Sequence, residues 1–185
     1  MSEILPAILA KDIKEFKEQM ASIPEEVKFV HVDVLEEDIW EDIDKDFEVH
    51  LMVKNPEAII ERWVNRGAKR IILHSLGSST SKWRETVEVG LAVELNVPLG
   101  EVFPLLTRAD FIQLMSIAEI GEQGHMFEPA IFDRIREVKE KFPQILLSVD
   151  GGINVTNYQE LQKVGVERLV VGSGFKDLWK SLTKN

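Results

Sequence analysis

The chain has 185 residues, 44% hydrophobic and 29% charged, which supports one globular domain over residues 1–185 and leaves little room for a second. Its formal charge of −10, with no basic run, disfavours nucleic acid and an anionic membrane as partners, because a phosphate surface has to be met by clustered Lys and Arg. Zero cysteines exclude a disulfide frame and a thiolate zinc site, and Met1-Ser2-Glu3-Ile4-Leu5-Pro6 lacks the basic-then-apolar pattern of an export signal, so a cytoplasmic location is expected.

Short apolar runs alternate with amphipathic or capped segments along the whole chain. Strands are expected at residues 4–9, 28–34, 48–53, 70–75, 88–95, 111–117, 145–150 and 168–173. Their Val, Ile and Leu content fits strands covered on both faces, and eight of them close most simply into a (β/α)8 TIM barrel, with a doubly wound open sheet as the competing fold. Asn55-Pro56-Glu57 opens a helix, with Asn as cap, Pro in the first helical position and an acid in the first turn, and Gly67 ends it. Residues 129–142 form another helix. Only 16 residues separate Asp33 from His50, and they include the polar run Glu36-Glu37-Asp38-Ile39-Trp40-Glu41-Asp42. A helix there is cut to a turn or two, and the stretch from His74 to Val89 is similarly tight. The expectation is a barrel with shortened or missing helices after strands 2 and 4, below the usual ~250 residues.

The chemistry sits on three of these strands. His31 and Asp33 lie in Phe29-Val30-His31-Val32-Asp33-Val34, His50 in Glu48-Val49-His50-Leu51-Met52-Val53, and Asp150 in Ser148-Val149-Asp150-Gly151-Gly152. A strand alternates its faces, so His31 and Asp33 project to one side while Val30, Val32 and Val34 project to the other. Two imidazoles and two carboxylates suit one divalent metal ion, Zn²⁺, Fe²⁺ or Mn²⁺, and a metal-bound carboxylate can also move protons. Alone, Asp150 reads as a turn residue before Gly-Gly, and a single barrel histidine reads as core. Several buried polar groups on neighbouring strands, however, are costly without a shared purpose. Met52 and Met115 are assigned to packing, and His125 in a Gly-rich loop is left without a role.

Taken in order, Ile4-Leu5-Pro6-Ala7-Ile8-Leu9, His31-Val32-Asp33-Val34, His50-Leu51-Met52-Val53, Val149-Asp150-Gly151-Gly152-Ile153 and Gly172-Ser173 resemble the motifs of the ribulose-phosphate 3-epimerase family, nearly end to end. The resemblance implies a TIM barrel in which His31, Asp33, His50 and Asp150 hold a divalent metal and Asp33 and Asp150 act as acid and base. It also implies a sugar phosphate substrate whose phosphate meets the backbone of Gly151, Gly152, Gly172 and Ser173. His74, on the inward side of strand 4, resembles a family position that is not a ligand, which implies a structural role. Several positions depart from the family. Ala7 stands where the family usually carries a serine, and Leu35-Glu36-Glu37 replaces a Met-Asp-Gly turn with its longer loop. Ala118-Glu119-Ile120-Gly121-Glu122-Gln123-Gly124 replaces an Asn-Pro-Gly-Phe-Gly-Gly lid, and Glu119, Glu122 and Glu94 would repel a phosphate dianion if they faced inward.

The leading expectation is a metal-dependent epimerase interconverting ribulose 5-phosphate and xylulose 5-phosphate. The alternatives are an epimerase-like barrel for another small phosphorylated sugar and a non-catalytic relic that binds a sugar phosphate or metal. A decarboxylase or aldolase of the same barrel group is disfavoured, since Asp33-Val34-Leu35-Glu36-Glu37-Asp38 lacks the lysine those enzymes use. A homo-oligomer is expected on the ground that the trimmed helices would leave strand surface for a second subunit to cover.

Overall fold

The computed structural model describes residues 2–36 and 38–183, so Glu37 lies outside the described residues. The strands are β1 (Glu3–Ile8), β2 (Phe29–Val34), β3 (Asp46–Leu51), β4 (Arg70–Leu73), β5 (Glu88–Val93), β6 (Phe111–Met115), β7 (Leu146–Asp150) and β8 (Arg168–Val171). All pair in parallel with their sequence neighbours, and β1 pairs with β8, closing the barrel. That closure excludes the open sheet. Each strand boundary lies within 2 residues of the one expected from the sequence.

The helices are α1 (Ile13–Ala21), α2 (Ile60–Asn65), α3 (Leu99–Val102), α4 (Ile131–Lys141), α5 (Tyr158–Lys163) and α6 (Phe175–Thr183). The outward residues of the strands, Val30, Val32 and Val34 on β2 among them, join the helices in the main core. Ile72, Ala92 and Phe111 form a separate cluster inside the barrel. Gly90 is required there, since a Cβ on it would come within 2.4 Å of the Phe111 ring. Each fully buried Leu, Ile or Phe of these layers contributes about 1.5–3 kcal/mol.

The trimmed segments depart from expectation in detail. None of the described residues between β2 and β3 is helical. Ile39, Trp40 and Ile43 instead pack on the core. The Trp40 ring sits 5.0 Å from Phe47, 5.2 Å from Trp63 and 6.0 Å from Phe16, with the Arg66 guanidinium over the ring at 5.2 Å. Asp38 accepts hydrogen bonds from Arg62 and Arg66, tying the segment to α2. Beside β2, the strand surface expected to lie open is therefore covered by this chain itself. After β4 there is only a 3-10 turn, Thr80–Glu85. Asn55 makes no side-chain cap; Pro56–Ala58 form a 3-10 turn first, and α2 starts at Ile60. Without that cap bond the first turn is 3-10, and the α-helix begins one turn later than the Asn-Pro-Glu signal indicates.

At the N-terminal end of the strands, an ion network closes the barrel floor. Arg70 lies 3.1 Å from both Glu48 and Glu3, and Arg168 lies 2.7 Å from Glu88 and 3.5 Å from Glu3. These residues come from β1, β3, β4, β5 and β8, so the network ties strands on opposite sides of the ring.

Candidate metal centre

The mouth of the barrel collects the four residues singled out in the sequence. In the register of β2 with β3, Asp33 stands beside His50 and His31 beside Glu48. In that of β6 with β7, Met115 stands beside Asp150. His31 Nε2 lies 3.2 Å from Asp33 Oδ1 and 3.8 Å from Asp150 Oδ2. His50 Nδ1 lies 3.3 Å from Asp33 Oδ1 and 3.6 Å from Asp150 Oδ2. One ligand atom from each of the four residues falls within 4.8 Å of all the others.

Electrostatics follow from this crowding. Burial works against charge on His31, but Asp33 and then Glu48 outweigh it and raise its pKa well above the ordinary value. His50 is raised in the same way, burial being overcome by Asp150 and Asp33. Asp33, although buried, is held well below the usual carboxylate range by His31 and His50. His74 goes the other way, pushed down to about 4 by burial and by the charge on His50. Without a metal the two histidines thus meet the two aspartates as proton-bearing partners. A divalent cation can replace those protons, and the donor set of imidazole nitrogens and carboxylate oxygens fits Zn²⁺, Fe²⁺ or Mn²⁺.

The supporting contacts include residues that the sequence reading did not single out. Glu48, wholly buried, lies 2.7 Å from His31 Nδ1 through Oε1, and its Oε2 accepts from Arg70 at 3.1 Å. Burial alone would raise the Glu48 pKa, yet His31 and Arg70 lower it, which favours a carboxylate that accepts from His31 Nδ1. Gln113, also wholly buried, donates from Nε2 to Asp150 Oδ2 at 3.0 Å, while its Oε1 accepts from Ser148 Oγ at 3.3 Å. The signal for all three was the period of 2: Glu48 precedes His50, Ser148 precedes Asp150, and Gln113 precedes the cavity-lining Met115, each by two positions on the same strand face.

The glycines border the same cavity, which is lined by Ala7, Asp33, Asp150, Gly151, Gly152, Gly172 and Ser173 among others. Gly151 and Gly152 have φ of +110° and +65°. Their turn is pinned by Ser116 Oγ, which donates to the Gly151 carbonyl at 2.6 Å, and by Asn154 and Asn157, which both donate to the Gly152 carbonyl at 3.1 Å. The segment after β6 covers them. Ile117 packs on Gly151, the Phe127 backbone on Gly152, and Gln123 on Gly172, with Gln123 donating to the Ala7 carbonyl at 3.2 Å.

The acids expected to oppose a phosphate mostly turn elsewhere. Glu119 is exposed and does not line the cavity, and Glu94 faces His74. Glu122 reaches the cavity edge but is largely in solvent, 4.0 Å from His125. His74 and Glu94 lie just past the ends of β4 and β5 rather than within them.

Residues 3–176 match the model of the Ribulose-phosphate 3 epimerase family. The chain belongs to that family. It is 28% identical over 134 residues to the ribulose-phosphate 3-epimerase, cytoplasmic isoform, of Oryza sativa subsp. japonica, a match covering 67% of this chain and 58% of that relative. The chain thus spans less than two thirds of that relative's length. To the ribulose-phosphate 3-epimerase of Aquifex aeolicus strain VF5 it is 29% identical over 199 residues, covering 94% of this chain and 89% of the relative. Among solved structures, KGPDC from Streptococcus mutans superposes with a TM-score of 0.67 at 12% identity over 96% of this chain and 90% of that one, a likeness of fold. Among the described residues of this ribulose-phosphate 3-epimerase family member, no helix is long and apolar enough to cross a membrane.

Proposed function

We propose that this chain is a metal-dependent carbohydrate epimerase that interconverts ribulose 5-phosphate and xylulose 5-phosphate, as a single domain working in the cytoplasm. The observation that carries the reading is the convergence of Asp33 from β2 and Asp150 from β7, together with His31 and His50, at one barrel mouth. Inverting a carbon beside a ketone requires a proton to leave one face and another to arrive on the opposite face, so two acid–base groups are needed. β2 and β7 are separated around the ring by β1 and β8, which favours a sugar carbon lying between the two carboxylates.

One aspartate enters ionised and takes the carbon 3 proton; the other enters protonated and delivers its proton to the far face. In the reverse direction they exchange roles. His31, Asp33, His50 and Asp150 would hold one divalent ion, Zn²⁺, Fe²⁺ or Mn²⁺. When bound, it would supply Lewis-acid stabilisation of the negative charge developing on the ketone oxygen, on the order of several kcal/mol. Gln113 keeps Asp150 oriented through Oδ2. Gly151, Gly152, Gly172 and Ser173 would offer backbone N–H groups to the phosphate, at the turns after strands 7 and 8 where barrels of this kind bind it.

The test is formation of xylulose 5-phosphate from ribulose 5-phosphate by protein reconstituted with each metal. Turnover that a chelator removes and the metal restores supports the reading; absence of turnover with all three metals sinks it. A second substrate, another small phosphorylated ketose, is favoured by Ala7 at the rim and by Gln123 seated over Gly172. Faster turnover of such a sugar by the same preparation would establish it.

A further inference from the structure

His74 and Glu94 are two polar side chains near the mouth that the epimerase reading leaves without a task. They follow β4 and β5, which pair through Leu73 and Leu91. His50 Nε2 lies 2.9 Å from His74 Nε2, with the two ring planes only 17° apart and their centroids 5.0 Å apart. On its other side His74 presents Nδ1 to Glu94 Oε1 at 3.4 Å. The opposite nitrogen of His50, Nδ1, is the one that faces Asp33 and Asp150.

A neutral imidazole has one N–H and one lone pair. If His50 is to present its lone pair at Nδ1, toward the carboxylates, its proton must sit on Nε2, and the acceptor within reach is His74 Nε2. His74 then carries its own proton on Nδ1, toward the Glu94 carboxylate. The His50–His74 contact is a hydrogen bond, and the Glu94 carboxylate lies beyond it as a longer contact whose charge favours the His74 proton on Nδ1. At His31 the equivalent hold is direct, since Glu48 occupies its far nitrogen.

We propose that His74, oriented by Glu94, is a positioning residue that fixes His50 in its Nε2-protonated form and aims Nδ1 at the metal. This rests on the reading that the four-residue cluster holds a divalent ion. It also gives Glu94 a use other than repelling the substrate: the carboxylate completes the outer end of the relay. Partners on the far nitrogen of a metal-binding histidine are worth about 10–100-fold in metal affinity.

The test is Zn²⁺ affinity by competition with a chromophoric chelator for the wild type, His74→Phe, His74→Gln and Glu94→Ala, alongside ¹⁵N NMR of the Zn²⁺-loaded wild type. His74→Phe keeps a ring of similar size and should weaken binding by about 10–100-fold. His74→Gln offers an amide oxygen to His50 Nε2–H and should recover most of that loss, and Glu94→Ala should lose less than His74→Phe. The NMR spectrum should show the His50 proton on Nε2. Equal affinity for His74→Phe and wild type, no rescue by Gln, or a His50 proton on Nδ1 would each overturn the proposal while leaving the metal site intact. A wild type that binds no Zn²⁺ overturns the metal reading and the proposal with it. Should His74→Phe fail to fold, the Gln variant, Glu94→Ala and the wild-type spectrum still decide.

Discussion

His31 and Glu48 are wholly buried neighbours on paired strands, their Nδ1 and Oε1 atoms 2.7 Å apart. Glu48 also accepts from Arg70, which reaches Glu3 in turn, so the mouth of the barrel is connected by hydrogen bonds and ion pairs to its floor. Replacing the carboxylate by an amide, Glu48→Gln, keeps the shape and removes the charge that holds the proton on Nδ1. Zn²⁺ affinity measured by chelator competition is expected to fall about tenfold or more. An unchanged affinity would show that His31 needs no anion behind it.

Gln113 should matter to rate more than to binding. Its amide donates to the carboxylate of Asp150, and hydrogen bonds to charged groups are worth about 1.5–3 kcal/mol, roughly 10–100-fold in rate. Gln113→Leu is therefore expected to lower kcat by that order with KM nearly unchanged. Steady-state kinetics on ribulose 5-phosphate checks this, and a loss confined to KM would place the effect on substrate binding instead.

The Trp40 plug makes a stability prediction at a distance from the chemistry. Trp40 fills the space between Phe16, Phe47 and Trp63 where the helix after β2 is absent. Trp40→Ala should cost on the order of 2–4 kcal/mol in denaturant unfolding. A cost near zero would mean that the segment is not part of the core.

Asp38 gives the pH dependence. Burial acts to raise its pKa, but the hydrogen bonds from Arg66 and Arg62 prevail and hold it below the ordinary carboxylate value. A group depressed in the folded state stabilises the protein above its unfolded pKa of about 3.9, and that contribution is lost as pH falls through the folded value. Asp38→Asn should thus be less stable than wild type at pH 7, with the gap closing below about pH 4. A gap that stays constant with pH would remove the ion pairs from the account.

Most of the fold was legible because strands and helices leave different periods. Val30, Val32 and Val34 alternate with His31 and Asp33, and that alternation alone predicted that the valines join the outer core while His31 and Asp33 share the opposite face. The trimmed connection after β2 was legible as a length, but its replacement by a Trp40 plug was not, since Trp40 gets its partners from α1, β3 and α2. The helix start at Asn55-Pro56 was overread, because a cap signal does not say whether the first turn is α or 3-10. At the mouth, the four residues drawn together were those with motif neighbours. Glu48 and Gln113 lie one layer deeper, and their partners come from other strands, Arg70 on β4 and Ser148 on β7, which no local pattern reveals. Glu94 was expected to burden the substrate pocket and instead faces His74, a contact between two loop residues 20 positions apart.

The central claim, that Asp33 and Asp150 exchange the carbon 3 proton of a ketopentose phosphate, is tested most directly by solvent deuterium incorporation at carbon 3 of ribulose 5-phosphate. Proton NMR would follow it with Zn²⁺-, Mn²⁺- and Fe²⁺-loaded protein, wild type and Asp150→Asn. Metal-requiring incorporation by the wild type that gives xylulose 5-phosphate, with no epimer formed by the folded Asp150→Asn protein, is the expected result. Epimerisation undiminished in Asp150→Asn, or no incorporation with any of the three metals, would contradict it.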